Sequence, residues 1–334
     1  MKRVLIVRLD AIGDYILWRN CLRFLRNCAR YRDAHLTILG NPAWRDLTEA
    51  FDSDCADEWI WVEDRNALFR KPMENLLPRC VWHRRVEREQ GKLKATLAVR
   101  GFDEVISPCA FPDALLDELV VGIAPETVGV AAGGKGARSG FTRLVDSGEE
   151  AFAFSRNVAV ASALAGEACD ARLELDIDGV SPTTSRRVIF FTGASHWTRR
   201  WPARRWRELE KLLPPGFETV YAPQGMSLAA FAAFVKSCAA VVSNDTMAVH
   251  LAAALGVPAV AVVNGVSGKG GFWPYPLKLG KRVAVACPHA SPLASALARA
   301  GLPGRQLAQY LMLSSISANY VASKLNAILD HAKL

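Results

Sequence analysis

Short apolar runs that alternate with segments of helical spacing constrain the fold of this chain most strongly. The first run, residues 3–8 (RVLIVR), has the length and continuous apolar character of a buried parallel strand, and a polar loop and a helix follow it. Strands that alternate with helices are typical of a parallel sheet covered by helices on both faces. The sequence therefore predicts an α/β protein.

The same pattern recurs along the chain. It predicts strands at Arg3–Arg8, His35–Leu39, Trp59–Val62, Glu104–Ser107, Thr127–Val130, Val188–Phe191, Glu218–Tyr221, Ala240–Val242 and Ala259–Val263. A first helix is predicted from about Asp14, with an apolar stripe of Leu17, Cys21, Phe24, Leu25 and Cys28. Later helices are predicted at Arg204–Leu213, Leu228–Cys238, Met247–Leu255 and Ser317–Leu334.

The length of 334 residues exceeds one ordinary α/β core and suits two domains. A polar, turn-rich stretch at residues 173–187 (LELDIDGVSPTTSRR) is the predicted linker. We expect an N-terminal domain at 1–175, a C-terminal domain at 186–315, and a terminal helix at 316–334 that packs back toward the N-terminal domain.

Composition narrows the class of protein. Hydrophobic residues make up 51% of the chain and charged residues 22%, which favours packed cores over disorder. The first apolar run is too short for an export signal, and the most apolar later stretch, residues 239–263, is interrupted by polar residues. The eight cysteines form neither a C-x-x-C pair nor a Cys/His cluster, so neither a zinc site nor a disulfide framework is expected. We expect a cytoplasmic protein.

The net charge of +8 is concentrated in one segment, residues 65–100, which holds ten Lys/Arg and three Glu. Such an excess favours an anionic partner, and Arg84 and Arg85 are its candidate contacts. A phosphorylated glycolipid or the anionic cytoplasmic face of a membrane, with peripheral association of the protein, would fit. No nucleic-acid-binding motif is present, so we expect no nucleic-acid partner. A solvated basic face without a partner remains an open alternative.

Three loops follow predicted strands at the edge where parallel sheets bind ligands. The first, residues 9–17 (LDAIGDYIL), offers Gly13 for a tight turn and the carboxylate of Asp14. A simple N-terminal cap of the following helix is the alternative role for Asp14.

The second loop, residues 192–206 (TGASHWTRRWPARRW), brings Arg199 and Arg200 near Thr192 and Ser195. Arginine forks suit the oxygens of a diphosphate, although the pair could equally form a solvated basic edge. His196 has no companion ligand or catalytic partner in the sequence.

The third loop, residues 243–250 (SNDTMAVH), ends a strand and opens a helix at about Thr246. A helix start of this kind binds phosphate through its backbone N–H groups. Asp245 would suit a cap or a ribose contact better than phosphate. His250 lies one turn into the helix, where a structural role is equally open.

Two glycine clusters, residues 133–140 (GGKGARSG) and 265–271 (GVSGKGG), lack the spacing of a nucleotide-binding P-loop, so we interpret them as loops. The first strand is not followed by G-x-G-x-x-G. This argues against a nicotinamide-linked dehydrogenase.

Taken together, the three loops resemble those of glycosyltransferase family 9, the heptosyltransferase family of lipopolysaccharide core assembly. LDAIGDYIL resembles the family's L-G-D loop, TGASHWTRRWP its P-G-A-S…K-x-W-P loop, and SNDTMAVHLAAALGVPAVAVVNG its S-N-D-T-G-x-x-H-x-A-A-x-x-G-x-P block. FWPY at 272–275 and CP at 287–288 are weaker matches.

The resemblance implies a GT-B fold, in which two Rossmann-like domains with parallel sheets face each other across a cleft. It implies inverting transfer from a nucleotide diphosphate sugar, with neither a metal ion nor another cofactor, and ADP-heptose as the leading donor. Asp14 matches the family's catalytic carboxylate, and Arg199 matches a lysine that stabilises the leaving diphosphate together with the Thr246 helix. The family's glycine after D-T is Met247 here, which places a side chain close to the expected phosphates.

Other functions remain compatible with these residues. One alternative is a GT-B sugar-nucleotide epimerase or hydrolase, which would consume the donor without an acceptor. Another is a module that binds a nucleotide or glycolipid without turnover.

Overall fold

The structure of the chain, a computed structural model, describes residues 1–63, 68, 79–109, 114–131, 138–148, 152–177, 179, 185–265, 282–288 and 305–331. For residues 79–83, 114, 305 and 331 it describes only the backbone. The chain forms two compact units, Met1–Arg172 and Leu173–Leu334.

The strands and helices alternate along the described residues. The strands are β1 (Arg3–Arg8), β2 (His35–Gly40), β3 (Glu58–Trp61), β4 (Glu104–Ile106), β5 (Glu126–Ala131), β6 (Arg143–Asp146), β7 (Arg187–Phe191), β8 (Glu218–Tyr221), β9 (Ala240–Asn244), β10 (Ala259–Val262) and β11 (Val283–Ala286). The helices are α1 (Ile12–Ile16), α2 (Arg19–Asn27), α3 (Arg45–Phe51), α4 (Arg79–Ala98), α5 (Ala114–Val120), α6 (Ala153–Ala165), α7 (Ala203–Glu210), α8 (Leu228–Lys236), α9 (Met247–Ala254), α10 (Arg305–Ser314) and α11 (Ala318–His331). Short 3₁₀ turns occur at Pro42–Trp44, Ser53–Cys55 and Trp197–Arg199.

The first unit is built on a parallel sheet in the order β3-β2-β1-β4-β5-β6. The order reverses direction between β1 and β4. Such a reversal opens a crevice at the carboxyl ends of the two strands, which is where open α/β sheets bind ligands. We term this region, residues 8–18 and 107–109, the first crevice.

The second unit repeats this plan with a parallel sheet in the order β11-β10-β9-β7-β8. Here the reversal lies between β7 and β9. The second crevice therefore consists of the segments that follow these two strands, residues 192–202 and 243–250. Two of the three loops selected from the sequence meet there.

Burial explains why the strands could be located. Val4, Leu5, Ile6 and Val7 of β1 are each at most 1% exposed, as expected for a parallel strand covered on both faces. The apolar run predicts this strand at its observed bounds because it has no solvent-facing side.

Two strands were not predicted. In β6 only Val145 is buried and Leu144 is exposed, because the strand lies at the edge of its sheet and carries no apolar run. β11 also lies at an edge, and of its four small side chains only Ala286 is fully buried.

The terminal helix α11 contacts β10, β11 and α7. Its side chains Val321, Leu325 and Ile328 join Val188 and Val242 in the hydrophobic core of the second unit. Among the described helices, none is both long enough and apolar enough to span a membrane.

Candidate active site

Asp14 lies in the first crevice, on the five-residue helix α1. The helix begins at Ile12, two residues before the predicted start, so Asp14 occupies its first turn. The Ala11 amide donates to Asp14 Oδ2 at 3.1 Å, which is a cap-type contact. Gly13 lies in the same helical turn, and its φ angle is not positive. The prediction of a tight turn at Gly13 is therefore wrong.

The prediction of a single helix through Cys28 is also wrong, because the helix is interrupted between α1 and α2. Leu17 and Trp18 are buried at the break. Asn157 Nδ2 of α6 donates to the Leu17 carbonyl at 2.8 Å, and the Cys21 amide donates to the Trp18 carbonyl instead. A side chain from α6 thus replaces the helical hydrogen bond of Leu17.

Arg8, which ends β1, is a buried cation in this crevice that sequence reasoning did not select. Its Nε lies 2.8 Å from Asp10 Oδ2, and its guanidinium donates to the Asp14 and Pro108 carbonyls at 3.4 Å each. Burial lowers the pKa of Arg8, but the charges of Asp10 and Asp14 are among the causes that raise it overall. The sequence feature that could have identified Arg8 is its position at the carboxyl end of an apolar strand, where parallel sheets bind ligands. The guanidinium also lies 5.1 Å from the ring centroid of Trp18.

A second buried arginine, Arg138, holds the other side of the crevice. It forms an ion pair with Asp117 and donates to the Cys109 carbonyl at 3.1 Å and to Ser107 Oγ at 3.3 Å. It belongs to the first glycine cluster, of which residues 133–137 lie outside the described residues.

The basic segment contributes helix α4, and the structure distinguishes its two candidate arginines. Both Arg84 and Arg85 are exposed, but only Arg85 lines a cavity of about 630 Å³. Its other lining residues are Trp61, Val62, Leu68, Arg88, Glu89, Lys92, Leu93 and Thr96. Cationic side chains and an aromatic ring thus share one concave surface.

In the second crevice, Arg199 joins the loops that follow β7 and β9. Its Nη1 donates to the Asp245 carbonyl at 3.3 Å, and its Nη2 contacts Ser195 Oγ. Arg200 differs, because its Nε donates to the Ala194 carbonyl. Its side chain lines a cavity of about 430 Å³ together with Thr192 and the aromatic rings of Trp197, Trp201, Trp206 and Tyr310. Only Arg199 is therefore placed against the β9 loop.

Asn244, at the end of β9, ties the two loops together and was not selected as a site residue. It is fully buried; its Nδ2 donates to the Thr192 carbonyl at 2.7 Å, and its Oδ1 accepts from the Trp201 amide at 2.9 Å. Its position between Ser243 and Asp245 in the third loop could have identified it as a site residue. This one amide therefore contacts both sides of the loop that follows β7 and links it to β9.

Thr246 caps helix α9, as expected for a helix that begins at this residue. Its hydroxyl accepts from the Ala248 amide at 3.3 Å and lies 2.9 Å from Ser243 Oγ. Asp245 is thus not the capping residue, and its backbone carbonyl instead accepts a hydrogen bond from Arg199. Met247 is the first residue of the helix and does not have positive φ, so its side chain causes no backbone strain.

The structure brings together Thr192, Ser195, Arg199, Asp245 and Thr246 around one helix start. His250 is buried on α9. His196 forms a local contact, its Nδ1 lying 2.8 Å from the Thr198 hydroxyl.

Some predicted features fall outside the described residues. These are residues 266–271 of the second glycine cluster and the FWPY segment at 272–275. Among the residues that the structure does describe, no group of three or more His, Cys, Asp or Glu side chains could hold a metal ion.

The model of glycosyltransferase family 9 (heptosyltransferase) matches residues 216–276, which contain the third loop and helix α9. The predicted resemblance to family 9 is confirmed. With it, the prediction that the protein is a glycosyltransferase is confirmed. No curated protein matches this sequence.

Solved structures support the fold of this chain. E. coli heptosyltransferase WaaC with ADP-2-deoxy-2-fluoro heptose is 18% identical with a TM-score of 0.66, and the match covers 97% of this chain and 99% of that one. A family 9 glycosyltransferase from Veillonella parvula is 17% identical with a TM-score of 0.66, covering 99% and 98%. E. coli ADP-heptose lps heptosyltransferase II is 18% identical with a TM-score of 0.58, covering 100% of both chains. The predicted GT-B class, with two parallel α/β sheets, is confirmed.

Proposed function

We propose that the protein is an inverting glycosyltransferase that uses no metal ion or other cofactor. It takes the sugar from a nucleotide diphosphate donor, with ADP-heptose as the leading candidate, and transfers it to a lipopolysaccharide-core or related glycan. The observation that carries this proposal is the convergence of Arg199 and the capped start of α9 in the second crevice.

The second crevice suits a leaving diphosphate. Helix α9 directs backbone N–H groups and its positive dipole end toward the loop that Arg199 contacts. Arg199 adds a formal positive charge and a planar fork of donors. Both would stabilise the negative charge that grows on the nucleoside diphosphate as it leaves, and neither requires a metal ion. In the proposal the Asp245 carboxylate binds a hydroxyl of the donor.

The first crevice suits the acceptor side of the reaction. Asp14 takes the proton of the acceptor hydroxyl while that oxygen bonds to the anomeric carbon. The bond between this carbon and the β-phosphate oxygen breaks, and its electron pair leaves with the nucleoside diphosphate. A positioned general base contributes about 10² to 10⁴ in rate.

The cavity beside α4 suits an anionic portion of the acceptor. Arg85, Arg88 and Lys92 provide positive charge, which Glu89 offsets in part by pairing with Arg88 and Lys92, and Trp61 provides an aromatic face. A phosphorylated lipopolysaccharide core has the matching charge. We further propose that the protein is cytoplasmic and reaches the lipopolysaccharide core, a glycolipid, at the cytoplasmic face of the membrane. We also propose that it does not bind nucleic acid. Sedimentation with vesicles of neutral or anionic lipid, and a nucleic-acid titration at low salt, would test these two points.

Calorimetry with ADP, UDP, GDP, CMP and dTDP in the presence of EDTA tests the donor. Selective binding of ADP supports ADP-heptose, selective binding of another nucleotide discards heptose, and no binding discards the donor site. Transfer to a lipopolysaccharide-core acceptor is then measured in EDTA. Consumption of the donor at the same rate without acceptor would instead indicate an epimerase or hydrolase.

A further inference from the structure

Helix α1, which carries Asp14, cannot hold its own geometry. A helix of five residues lies far below the length at which isolated helices are stable in water. The direction of the Asp14 carboxylate must therefore be fixed by contacts from other parts of the first unit. The residue of α1 whose side chain makes such contacts in the core is the neighbour of Asp14, Tyr15.

Tyr15 is fully buried and held on two sides. Its ring stacks on Trp44 with centroids 4.1 Å apart and planes 5° apart, and its hydroxyl donates to Asp52 Oδ2 at 2.7 Å. Burial, together with the charge of Asp52, raises the pKa of Tyr15 well above its usual value. The phenol therefore stays protonated and remains a donor throughout the working pH range.

Asp52 is a fully buried carboxylate whose partners are Tyr15 and arginines of α2. Arg19 donates to it through both Nε, at 3.0 Å to Oδ2, and Nη2, at 2.6 Å to Oδ1. Arg23 Nη2 lies 3.4 Å from Oδ1. The carboxylate thus joins α1, through Tyr15, to α2, across the break between the two helices.

The same segment also holds the backbone ahead of α1. The Asp10 carbonyl accepts from Asn41 Nδ2 at 2.8 Å, and Trp44 Nε1 lies 3.4 Å from the same oxygen. Residues 41–52, which we term the clamp segment, therefore contact the Asp14 loop on both sides. The rings of Trp59 and Trp61 in turn pack against Trp44.

We propose that Tyr15 and Asp52 are positioning residues of the glycosyltransferase, which hold Asp14 in the direction that the reaction requires. The inference rests on the proposed role of Asp14 as the base. Neither side chain touches the reacting atoms. They act through the backbone of α1, where a displacement of about 1 Å can lower the rate by roughly 10²-fold.

The first unit contains a matched control. Tyr31 is also fully buried, and its hydroxyl donates to the fully buried carboxylate of Glu104 at 3.1 Å. Glu104 begins β4, so this pair lies at the amino ends of the strands, away from the crevice. Tyr15→Phe and Tyr31→Phe each remove one buried phenol-to-carboxylate hydrogen bond and keep the ring.

The test begins with hydrogen exchange of the full chain, which does not depend on substrate. Tyr15→Phe should accelerate exchange in residues 11–18 at least tenfold, while Tyr31→Phe should leave this segment unchanged. In transfer assays with ADP-heptose, Tyr15→Phe should lower kcat about 10- to 100-fold and leave the donor KM unchanged. Tyr31→Phe should leave kcat unchanged.

Equal exchange of residues 11–18 in the two variants, or equal kcat, would overturn the positioning role. Asp14→Asn separates this failure from failure of the proposed function. If Asp14→Asn keeps full turnover, or if the wild type transfers nothing, the proposed base or donor is wrong, and hydrogen exchange alone decides whether Tyr15 holds the loop. If Tyr15→Phe does not fold, Asp52→Asn, which weakens the hydrogen bond of Tyr15 by removing the charge of its acceptor, replaces it in both measurements, against Glu104→Gln.

Discussion

The two crevices arise from the same topology but carry opposite chemistry. Each opens where the strand order of a parallel sheet reverses. The first presents the carboxylate of Asp14 beside the buried cation Arg8, whereas the second presents Arg199 beside a helix start. One sheet therefore presents a carboxylate, and the other presents positive charge, which are the two groups that the proposed reaction uses. A transfer reaction needs both, because a proton is removed from the acceptor while negative charge develops on the leaving group.

The crevices also differ in how their key groups are held. Arg199 lies on a short 3₁₀ turn and itself contacts the loop that follows β9, at Asp245. Asp14 lies on a short helix that depends on the clamp segment and on α6, which follows much later in the chain. We therefore expect changes in the first crevice to reduce turnover and changes in the second to reduce nucleotide binding. The predictions below test this division.

Asp14→Asn should have the largest effect. The amide can still accept the hydrogen bond from Ala11 but cannot take a proton, so turnover should fall by about 10² to 10⁴. Calorimetry should give the wild-type affinity for ADP. Turnover near the wild-type rate would remove Asp14 from the mechanism, and loss of ADP binding would break the division between the crevices.

Arg199→Ala should weaken ADP binding by about 10- to 100-fold, because a hydrogen bond to a charged group is worth roughly 1.5 to 3 kcal/mol. Arg200→Ala is the matched control, because it removes the same charge from the adjacent residue. The Nε of Arg200 donates to the Ala194 carbonyl, within the same loop. Calorimetry of both variants measures the difference. Equal affinities would mean that charge near the loop matters and the placement of Arg199 does not.

The amino-acid sequence predicts the second crevice better than the first. The segment from Ser243 to Thr246 combines the end of a buried strand with a capping residue, and both are local signals that the structure bears out at β9 and α9. The first crevice depends on side-chain contacts that no motif or helix-start signal marks. Tyr15 and Asp52 are 37 residues apart, and nothing in the local pattern around either one indicates that they meet.

The break between α1 and α2 shows why helical spacing alone was insufficient. Leu17 and Cys21 both point into the core, so the apolar stripe continues through the break and predicts one helix. The backbone departs from the helix because Asn157, on α6, supplies a donor for the Leu17 carbonyl. A tertiary hydrogen bond of this kind leaves no trace in the periodicity.

Asn157 and Asn244 provide the next test, because each is a buried amide that holds a backbone carbonyl in its own crevice. Nδ2 of Asn157 contacts the Leu17 carbonyl at 2.8 Å, and Nδ2 of Asn244 contacts the Thr192 carbonyl at 2.7 Å. Replacement by Ala leaves these carbonyls without that partner, so each variant should lose about 1 to 3 kcal/mol of unfolding free energy.

The functional effects of the two variants should separate. Asn244→Ala should weaken ADP binding severalfold, because the loops that follow β7 and β9 lose their shared link. Asn157→Ala should bind ADP normally and lower turnover. Urea unfolding, calorimetry and transfer assays on the same preparations check all three quantities. If Asn157→Ala weakened ADP binding as much as Asn244→Ala, the two crevices would not act separately.

The smallest effect is expected at the cavity beside α4. Arg85 lines it beside Trp61 and Lys92, whereas the adjacent Arg84 is absent from its lining. A solvent-exposed charge contact is worth up to about 1 kcal/mol, so Arg85→Ala should raise the acceptor KM by no more than about fivefold and leave ADP binding unchanged. Arg84→Ala removes the same charge from the same helix and should change neither quantity. The difference between the two variants should shrink at high salt, because screening weakens an exposed contact first. If both variants raised the acceptor KM equally at low salt, the helix would attract the acceptor through its overall charge, and the cavity would not be a specific acceptor site.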